Sequence, residues 1–415
     1  MSFSTLGLDP SLLENITRLG YTEPTPVQRE AIPAIIAGGD LLVSSQTGSG
    51  KTAAFVLPGL QRLRTAPAMK GNGPRMLVLC PTRELAMQVQ KATHGYCSGQ
   101  QLQTACLVGG MPFGAQLKLV RKAVDIVIAT PGRLKDHLDR GSMDLNRVEL
   151  LVLDEADRML DMGFQEEIDA IIAKAPKHRQ TLLFSATLAG VVGNLANRVT
   201  KNAKRVAITR VDEAKLDITQ HALMADNEAH KGRLLDSLLR ETEVEQALVF
   251  TATKRSAQAL SVELAGRGFT AGALHGDMQQ KERTRMLNSL RDGRMRVLVA
   301  TDVAARGIDV PGINLVVNYD APRMAEDYVH RIGRTGRAGR AGVAVTFLGH
   351  ADRNLVRQIE RFTGNKVTMA VIPGLEPKAR ATGNPGRPAP ENRGRPGGNP
   401  GRFERKPKYS SYKRT

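Results

Sequence analysis

Leu150-Leu151-Val152-Leu153-Asp154-Glu155-Ala156-Asp157 is a run of four apolar residues that ends abruptly on acids. A short apolar run bounded by polar residues predicts a strand buried on both faces, as in a parallel sheet. The acids then stand at its carboxyl end, where open α/β sheets bind their ligands. There Asp154 can hold a magnesium ion directly or through water, and Glu155 can orient or deprotonate an attacking water. The solvated acidic start of a helix is the other reading of the same tetrapeptide. Upstream, Ser45-Gln46-Thr47-Gly48-Ser49-Gly50-Lys51-Thr52 favours the first. Gly48 and Gly50 let backbone amides approach a phosphate without a Cβ clash. Lys51 would hold the β and γ phosphates and the Thr52 hydroxyl would ligate magnesium. Ser45 stands where the general phosphate-loop pattern has glycine. The two segments together indicate a machine that hydrolyses ATP with a metal.

The same strand-then-chemistry pattern recurs along the first half of the chain. Leu41–Val43, Met76–Leu79, Ile126–Ala129, Leu150–Leu153 and Thr181–Phe184 predict strands. They lead into the phosphate loop, Pro81-Thr82-Arg83-Glu84-Leu85, Thr130-Pro131-Gly132-Arg133, the acids and Ser185-Ala186-Thr187. Each is followed by a helical pattern, the signature of βα units, so these five segments should converge on one sheet edge. After a polar stretch at Thr209–Asp217 the pattern restarts with Ile218–Met224, Ala247–Phe250, Arg296–Ala300, Leu315–Tyr319 and Val343–Phe347. The expected organisation is an ATP-binding domain over 1–208, a linker over 209–217, a second α/β domain over 218–365 and a tail over 366–415. The second half has no glycine-rich Gly-Lys-Thr segment of its own, so it should complete the first domain's site and not hold a nucleotide alone.

The 415 residues, 41% of them hydrophobic, suffice for two or three globular domains. No apolar run of about 18 residues could span a bilayer, and the opening residues lack the basic start and apolar run of a secretory signal. The cytoplasm is the expected compartment, with no membrane partner. Cys80, Cys97 and Cys106 are an odd number without Cys-x-x-Cys spacing, which argues against a disulfide framework or zinc site. A formal charge of +18 suits a phosphate backbone, although solubilising or membrane-surface charge would look the same. Beyond Leu375 there is no Val, Ile, Leu or Met, and Pro, Gly and Arg dominate, so disorder is expected from about residue 376. Residues 376–415 carry eleven Lys or Arg against three Glu, a net +8. Phe403, Tyr409 and Tyr412 among these cations could stack on bases, against the alternative of a solvated tail without specific contacts. At Tyr328-Val329-His330-Arg331-Ile332-Gly333-Arg334-Thr335-Gly336-Arg337, arginines are concentrated among glycines. Arginine delivered to a γ phosphate accelerates transfer by about 10³ to 10⁵, and a plain phosphate-backbone patch is the competing reading.

With these motifs in hand, residues 3 to 365 resemble a DEAD-box RNA helicase of helicase superfamily 2. Phe3, seventeen residues before Gly20, and Gly20-Tyr21-Thr22-Glu23-Pro24-Thr25-Pro26-Val27-Gln28 resemble the family's adenine-recognising Q motif, here spanning residues 3–31. The resemblance implies that Tyr21 stacks on adenine and Gln28 reads its edge, and it makes Ser45 a normal family variant. It implies RNA-backbone contacts for Pro81, Thr82, Arg83, Gly109, Gly110, Thr130, Pro131, Gly132 and Arg133. Ser185-Ala186-Thr187 would couple hydrolysis to unwinding through the Asp154–Asp157 segment. In the second half, Leu248-Val249-Phe250 and Thr301-Asp302-Val303-Ala304-Ala305-Arg306-Gly307-Ile308-Asp309 resemble motifs for RNA contact, with Thr301 on RNA and Asp309 near the ATP ribose. His330–Arg337 matches the motif in which Arg334 and Arg337 are the arginine fingers and His330 contacts the acidic segment. His275-Gly276-Asp277 also recurs in the family, and a hydrogen-bonded structural histidine is the expectation there. The opening Met-Ser-Phe-Ser-Thr-Leu-Gly-Leu and the basic tail look most like the bacterial RhlE-type subgroup.

The implied architecture is two tandem RecA-like domains with parallel sheets, plus the basic tail. The implied activity is RNA-stimulated ATP hydrolysis with magnesium, driving local separation of single strands from short duplexes and remodelling of ribonucleoproteins. The chain is expected to be monomeric, with ribosomal RNA or RNA-turnover complexes as candidate partners. An ATP-gated RNA clamp and a DNA helicase are the alternatives, the latter because only 2′-hydroxyl contacts distinguish the sugar.

Overall fold

A computed structural model describes residues 2–45, 48–64, 70–99, 101–207, 218–241, 243–305, 308, 310, 312–336, 340–349 and 352–378. Among these, the strands of the first lobe are β1 (Leu41–Ser44), β2 (Met76–Leu79), β3 (Thr104–Leu107), β4 (Ile126–Ala129), β5 (Leu150–Leu153), β6 (Gln180–Ser185) and β7 (Lys204–Ala207). Those of the second are β8 (Ile218–Met224), β9 (Ala247–Phe250), β10 (Ala271–Leu274), β11 (Val297–Ala300), β12 (Leu315–Asn318), β13 (Gly342–Leu348) and β14 (Thr368–Ala370). Every strand pairing is parallel. Helices cover both faces, which is why the central strands read as unbroken apolar runs. In β5, Leu150 and Val152 pack into one core cluster while Leu151 and Leu153 pack into another on the opposite face.

The first sheet runs β3-β4-β2-β5-β6-β1-β7 and the second β10-β11-β9-β12-β13-β8-β14. Counted from each lobe's own first strand, both orders are third, fourth, second, fifth, sixth, first, seventh. The chain is therefore one RecA-like fold built twice. In the first lobe the carboxyl ends of β3, β4 and β2 carry the glycine pair, Thr130–Arg133 and Pro81–Arg83. The ends of β5, β6 and β1 carry the acids, Ser185–Thr187 and the phosphate loop. One sheet edge is thus divided into two neighbouring halves of different chemistry.

The second lobe continues past residue 365, where its end was expected. Thr368–Ala370 pairs in parallel with β8, and Ile372 and Leu375 pack on the core of that lobe. The compact unit ends at Pro377. Ala370, Ile372 and Leu375 supply the packing that holds this segment, whereas Met369 and Val371 are exposed. The expected linker at 209–217 and residues 379–415 of the expected tail lie outside the described residues. Among the described residues no helix is long and apolar enough to cross a membrane.

Candidate active site

The phosphate loop leaves β1 at Ser45, whose N–H donates to the Ser185 carbonyl at 3.0 Å. It closes at Gly50, with φ of 92°, into the helix Lys51–Leu63. A side chain at Gly50 would be strained by that φ, and its Cβ would stand 2.5 Å from Gln28 Nε2. Lys51 is buried, and its Nζ donates to the Ser45 carbonyl at 3.1 Å, folding the ammonium over the loop. Thr52 is half-buried beside it on the first turn. Gln28 joins this loop to the helix Pro26–Ile36, at whose start it forms a capping box with Thr25. Its Oε1 accepts the Thr25 N–H at 3.0 Å and its Nε2 donates to the Gly50 carbonyl at 3.1 Å. Tyr21 is held edge-on to buried Phe3, and its hydroxyl lies 2.6 Å from that of Tyr96. Gln46, Thr47, Asp309 and Arg337 lie outside the described residues.

Asp154 follows β5 and is only 2% exposed. Burial pushes its carboxyl up to about 7, with the Lys51 ammonium opposing that rise and the Glu155 carboxylate adding to it. Its Oδ1 is buried without a hydrogen-bond partner. An orphaned buried carboxylate oxygen near Lys51 and the Thr52 turn is a donor set that suits a hard divalent cation. Glu155 is held at φ 52° and ψ 54°, the left-handed region that glutamate avoids. Such a residue costs of order 1–3 kcal/mol and persists where the surroundings impose it, often at functional sites. Asp157 links this turn to β6. Its Oδ2 accepts the Ala186 N–H at 3.1 Å, and Ser185 Oγ accepts the Thr187 N–H at 3.3 Å. The Ser185–Thr187 segment therefore touches the acids, through Asp157.

On the other half of the edge, Thr82 caps the helix Arg83–Tyr96 by accepting the Leu85 N–H, and Thr130 precedes the helix Pro131–Asp139. The Arg83 guanidinium lies against Gly109 and Gly110, where a Cβ would collide with it. Arg133 Nη1 donates to the Met111 carbonyl at 3.1 Å, tying the β4 exit, where Gly132 also lies, to the β3 exit. Arg83 also reaches the second lobe, donating to Gln280 Oε1 at 3.1 Å. Beside it Glu84 and Arg283 form a buried interlobe ion pair, with Arg283 Nη2 and Nε 2.7 and 2.8 Å from Glu84 Oε1. Gln280 and Arg283 were not expected from the sequence. They lie in Gln-Lys-Glu-Arg-Thr-Arg at the start of the helix Gln280–Arg291, which reads as a solvated charged face.

In the second lobe the helix Ala325–Ile332 carries His330 and leads into Arg334. Arg331 is spent inside the lobe: it grips Asp302 at 2.6 and 2.8 Å and donates to the Asp320 carbonyl at 2.7 Å. Arg334 is 6% exposed and donates to the carbonyls of Ile308 and His330 at 2.9 and 3.1 Å. Neutral carbonyls are acceptors that an anionic phosphate can displace. His330 lines a small cleft with Arg334, Asp327 and Arg158, the residue after Asp157, and its Nδ1 has no partner. Thr301 is half-buried at the β11 exit, and its N–H donates to the Leu274 carbonyl at 3.3 Å. His275 contributes its backbone carbonyl to Arg283 at 3.2 Å, but its Nδ1 is buried without a partner, so the expected side-chain hydrogen bond is not made at that nitrogen.

The family model for DEAD/DEAH box helicases matches residues 25–195, and the helicase conserved C-terminal domain matches residues 230–339. ATP-dependent RNA helicase DeaD of Escherichia coli strain K12 is 44% identical over 380 residues, covering 90% of this chain and 59% of that protein. The chain thus spans about three fifths of the length of the curated relatives it matches. Dbp5 of S. cerevisiae, bound to RNA and ADP BeF3, superposes with a TM-score of 0.81 at 34% identity, covering 89% of this chain and 95% of that one. A DEAD box protein from the hyperthermophile Methanococcus jannaschii, 36% identical and covered to 99% by 89% of this chain, superposes at 0.51.

Proposed function

Because the chain belongs to the DEAD-box RNA helicase family, we propose that it hydrolyses ATP in response to RNA and uses the cycle to open short duplexes. The observation that carries this is a site in two halves held together. Lys51, Asp154 and Glu155 lie on one lobe and Arg334 on the other, with the buried Glu84–Arg283 pair closing the gap between lobes. The chain superposes better on a relative bound to RNA and a nucleotide analogue than on one of similar identity and coverage. We read that difference as one of lobe setting, with this structure closed.

In the closed arrangement Tyr21 and Gln28 would select adenine, and the loop from Ser45 through Gln46, Thr47, Gly48 and Ser49 to Gly50 would cradle the phosphates with Lys51 over them. Thr52 and Asp154 would hold magnesium, which when bound neutralises charge on the phosphate oxygens. Glu155 would take a proton from the attacking water. Arg334 and Arg337 would stabilise the charge that develops on the γ phosphate, worth about 10³ to 10⁵ in rate. Asp309 would contact the ribose. Pro81, Thr82, Arg83, Gly109, Gly110, Thr130 to Arg133 and Thr301 would hold the RNA backbone. Asp157, Ser185, Thr187 and His330 would transmit the state of one ligand to the other. Since both ligands favour closure, each should raise affinity for the other by the same factor.

Both halves of the site are on one chain, so we infer a monomer, with domains over 1–208 and from 218. Buried, unpaired Cys80, Cys97 and Cys106 fit a reducing, cytoplasmic setting. We place the chain in the RhlE-type subgroup on the likeness of its opening Met-Ser-Phe-Ser-Thr-Leu-Gly-Leu and its basic tail, with ribosome assembly or RNA turnover as the setting. The deciding experiment measures ATP hydrolysis with single-stranded RNA against DNA of the same sequence, together with strand release from a short RNA duplex. RNA alone should stimulate turnover and the duplex should open. Equal stimulation by DNA would refute the RNA assignment, and ATP-dependent binding without strand release would identify a clamp.

A further inference from the structure

Arg158 comes from the first lobe, whereas His330, Arg334 and Asp327 in the same cleft belong to the second. Its Nη1 lies 3.0 Å from Asp327 Oδ1, with side chains 4% and 15% exposed. Asp161, the other acid near Arg158, is 3.8 Å away and 45% exposed, a weak competitor. The Arg158 backbone N–H donates to Asp157 Oδ1 at 3.0 Å, and Asp157 Oδ2 accepts the Ala186 N–H. A single residue thus hooks the acidic turn and the Ser185–Thr187 segment to a helix of the other lobe.

Asp327 sits in the first turn of Ala325–Ile332, and Arg334 follows seven residues later with its Nε on the His330 carbonyl. A helix moves as a rigid rod, so fixing one end sets the axial and rotational position of the other. A misplacement of about 1 Å at a catalytic group can cost on the order of 10² in rate. We propose that Arg158 and Asp327 form an interlobe positioning contact, made when the lobes close, that seats Arg334 for hydrolysis. The inference rests on the ATP-and-RNA function proposed above. It assigns Arg158 a task separate from the acids that precede it. Its charge is carried across to the second lobe and so contributes to closure and turnover more than to nucleotide capture by the loop at the β1 exit.

The test is a charge-reversal cycle on the full chain with Asp327→Asn, Asp327→Arg, Arg158→Asp and the combined Arg158→Asp/Asp327→Arg. RNA-stimulated kcat, the RNA concentration giving half-maximal rate, and ATP affinity without RNA are measured for each. Each single substitution should lower stimulated kcat by about 10- to 100-fold and raise the RNA requirement, with ATP affinity changed less than about twofold. The reversed pair should recover at least about tenfold over the worse single variant. Multiplicative losses in the combined variant would overturn the proposal, as would an Asp327→Asn loss that appears equally in ATP affinity. Should Arg158→Asp fail to fold, Arg158→Gln with Asp327→Asn decides by non-additivity in the same assays. An unmodified chain without RNA-stimulated turnover would sink the helicase function instead. The pair would then be read from fluorescence transfer between dyes on the two lobes with RNA and ADP–beryllium fluoride, where Asp327→Asn must still reduce the closed fraction.

Discussion

Replacing Glu84 by Gln removes one charge from a pair that spans the lobes, and the size of the effect can be worked from its surroundings. Glu84 and Arg283 side chains are 5% and 7% exposed. Deleting one partner of a buried pair costs about 3–5 kcal/mol, because the survivor stays desolvated. Arg283 keeps the carbonyls of His275 and Ala304 at 3.2 and 3.3 Å, which puts the loss at the low end, about 3 kcal/mol. The cost falls on the closed form, since separating the lobes returns both side chains to water. At about 1.4 kcal/mol per decade, closure weakens on the order of 100-fold. A ligand that binds the closed form loses the same factor. The assay is fluorescence anisotropy of a labelled single-stranded RNA, titrated with and without ADP–beryllium fluoride. RNA affinity should fall about 100-fold with the nucleotide analogue and less than about threefold without it. Arg283→Gln should behave alike, and Glu84→Gln/Arg283→Gln should lose less than the sum, because no charge is left buried. Equal losses with and without nucleotide would refute this reasoning, since they would place Glu84 on RNA or in the stability of its own lobe.

Glu155→Gln removes the proposed base and leaves the loop intact, so turnover should be abolished while ATP-dependent RNA binding survives; single-turnover hydrolysis at the unmodified rate would overturn the assignment. Burial pushes the Asp154 carboxyl up to about 7, well above the ordinary carboxylate range, so as pH rises toward 7 the folded state holds a proton that the unfolded state has lost. Stability should fall as pH rises from about 4 to about 7 and then level off. Thermal unfolding in a chelator, without nucleotide, should therefore show Asp154→Asn gaining on the unmodified chain through that window, and a gap independent of pH would contradict it. Removing residues 379–415, which carry ten Lys or Arg against two Glu, should weaken RNA binding and flatten its dependence on salt. An identical slope of log affinity against log salt would show that the tail touches no phosphate.

The strands that pattern reading missed share one property. Thr104–Leu107, Lys204–Ala207, Ala271–Leu274 and Thr368–Ala370 are the four outermost strands, one at each edge of each sheet. A central strand is buried on both faces and must be apolar throughout, whereas an edge strand needs fewer buried positions and is usually blunted by charge or brevity. Lys204-Arg205-Val206-Ala207 buries Val206 alone, and Ala271-Gly272-Ala273-Leu274 uses small residues of poor strand propensity. The acids, the phosphate loop and the motifs at strand exits were legible because each is contiguous and carries its own chemistry. Arg158–Asp327 and Glu84–Arg283 were not, since their members lie 169 and 199 residues apart on charged helices. Whether such charges meet depends on how two rigid lobes are set, which no local periodicity encodes.

The doubled topology also accounts for the missing second nucleotide loop. β8 occupies in its sheet the place that β1 holds in the first, so the helix Glu228–Arg240 is the counterpart of the phosphate helix Lys51–Leu63. Its N-terminus is already satisfied: Asn227 caps it by accepting the His230 N–H at 2.9 Å. Asp226 and Glu228 bring negative charge to an end that would otherwise attract phosphate. The counterpart of β5 is β12, and the acid after it, Asp320, is bound to Lys231 Nζ at 3.0 Å and to the Ala252 N–H at 2.8 Å. Where the first lobe holds Lys51 near an Asp154 whose Oδ1 is unpartnered, the second joins its lysine and acid into a closed ion pair. That copy of the fold has its phosphate-type site closed by its own side chains, so in the proposed reaction it would act on the first lobe's site, through Arg334 among others, and turnover would depend on lobe closure.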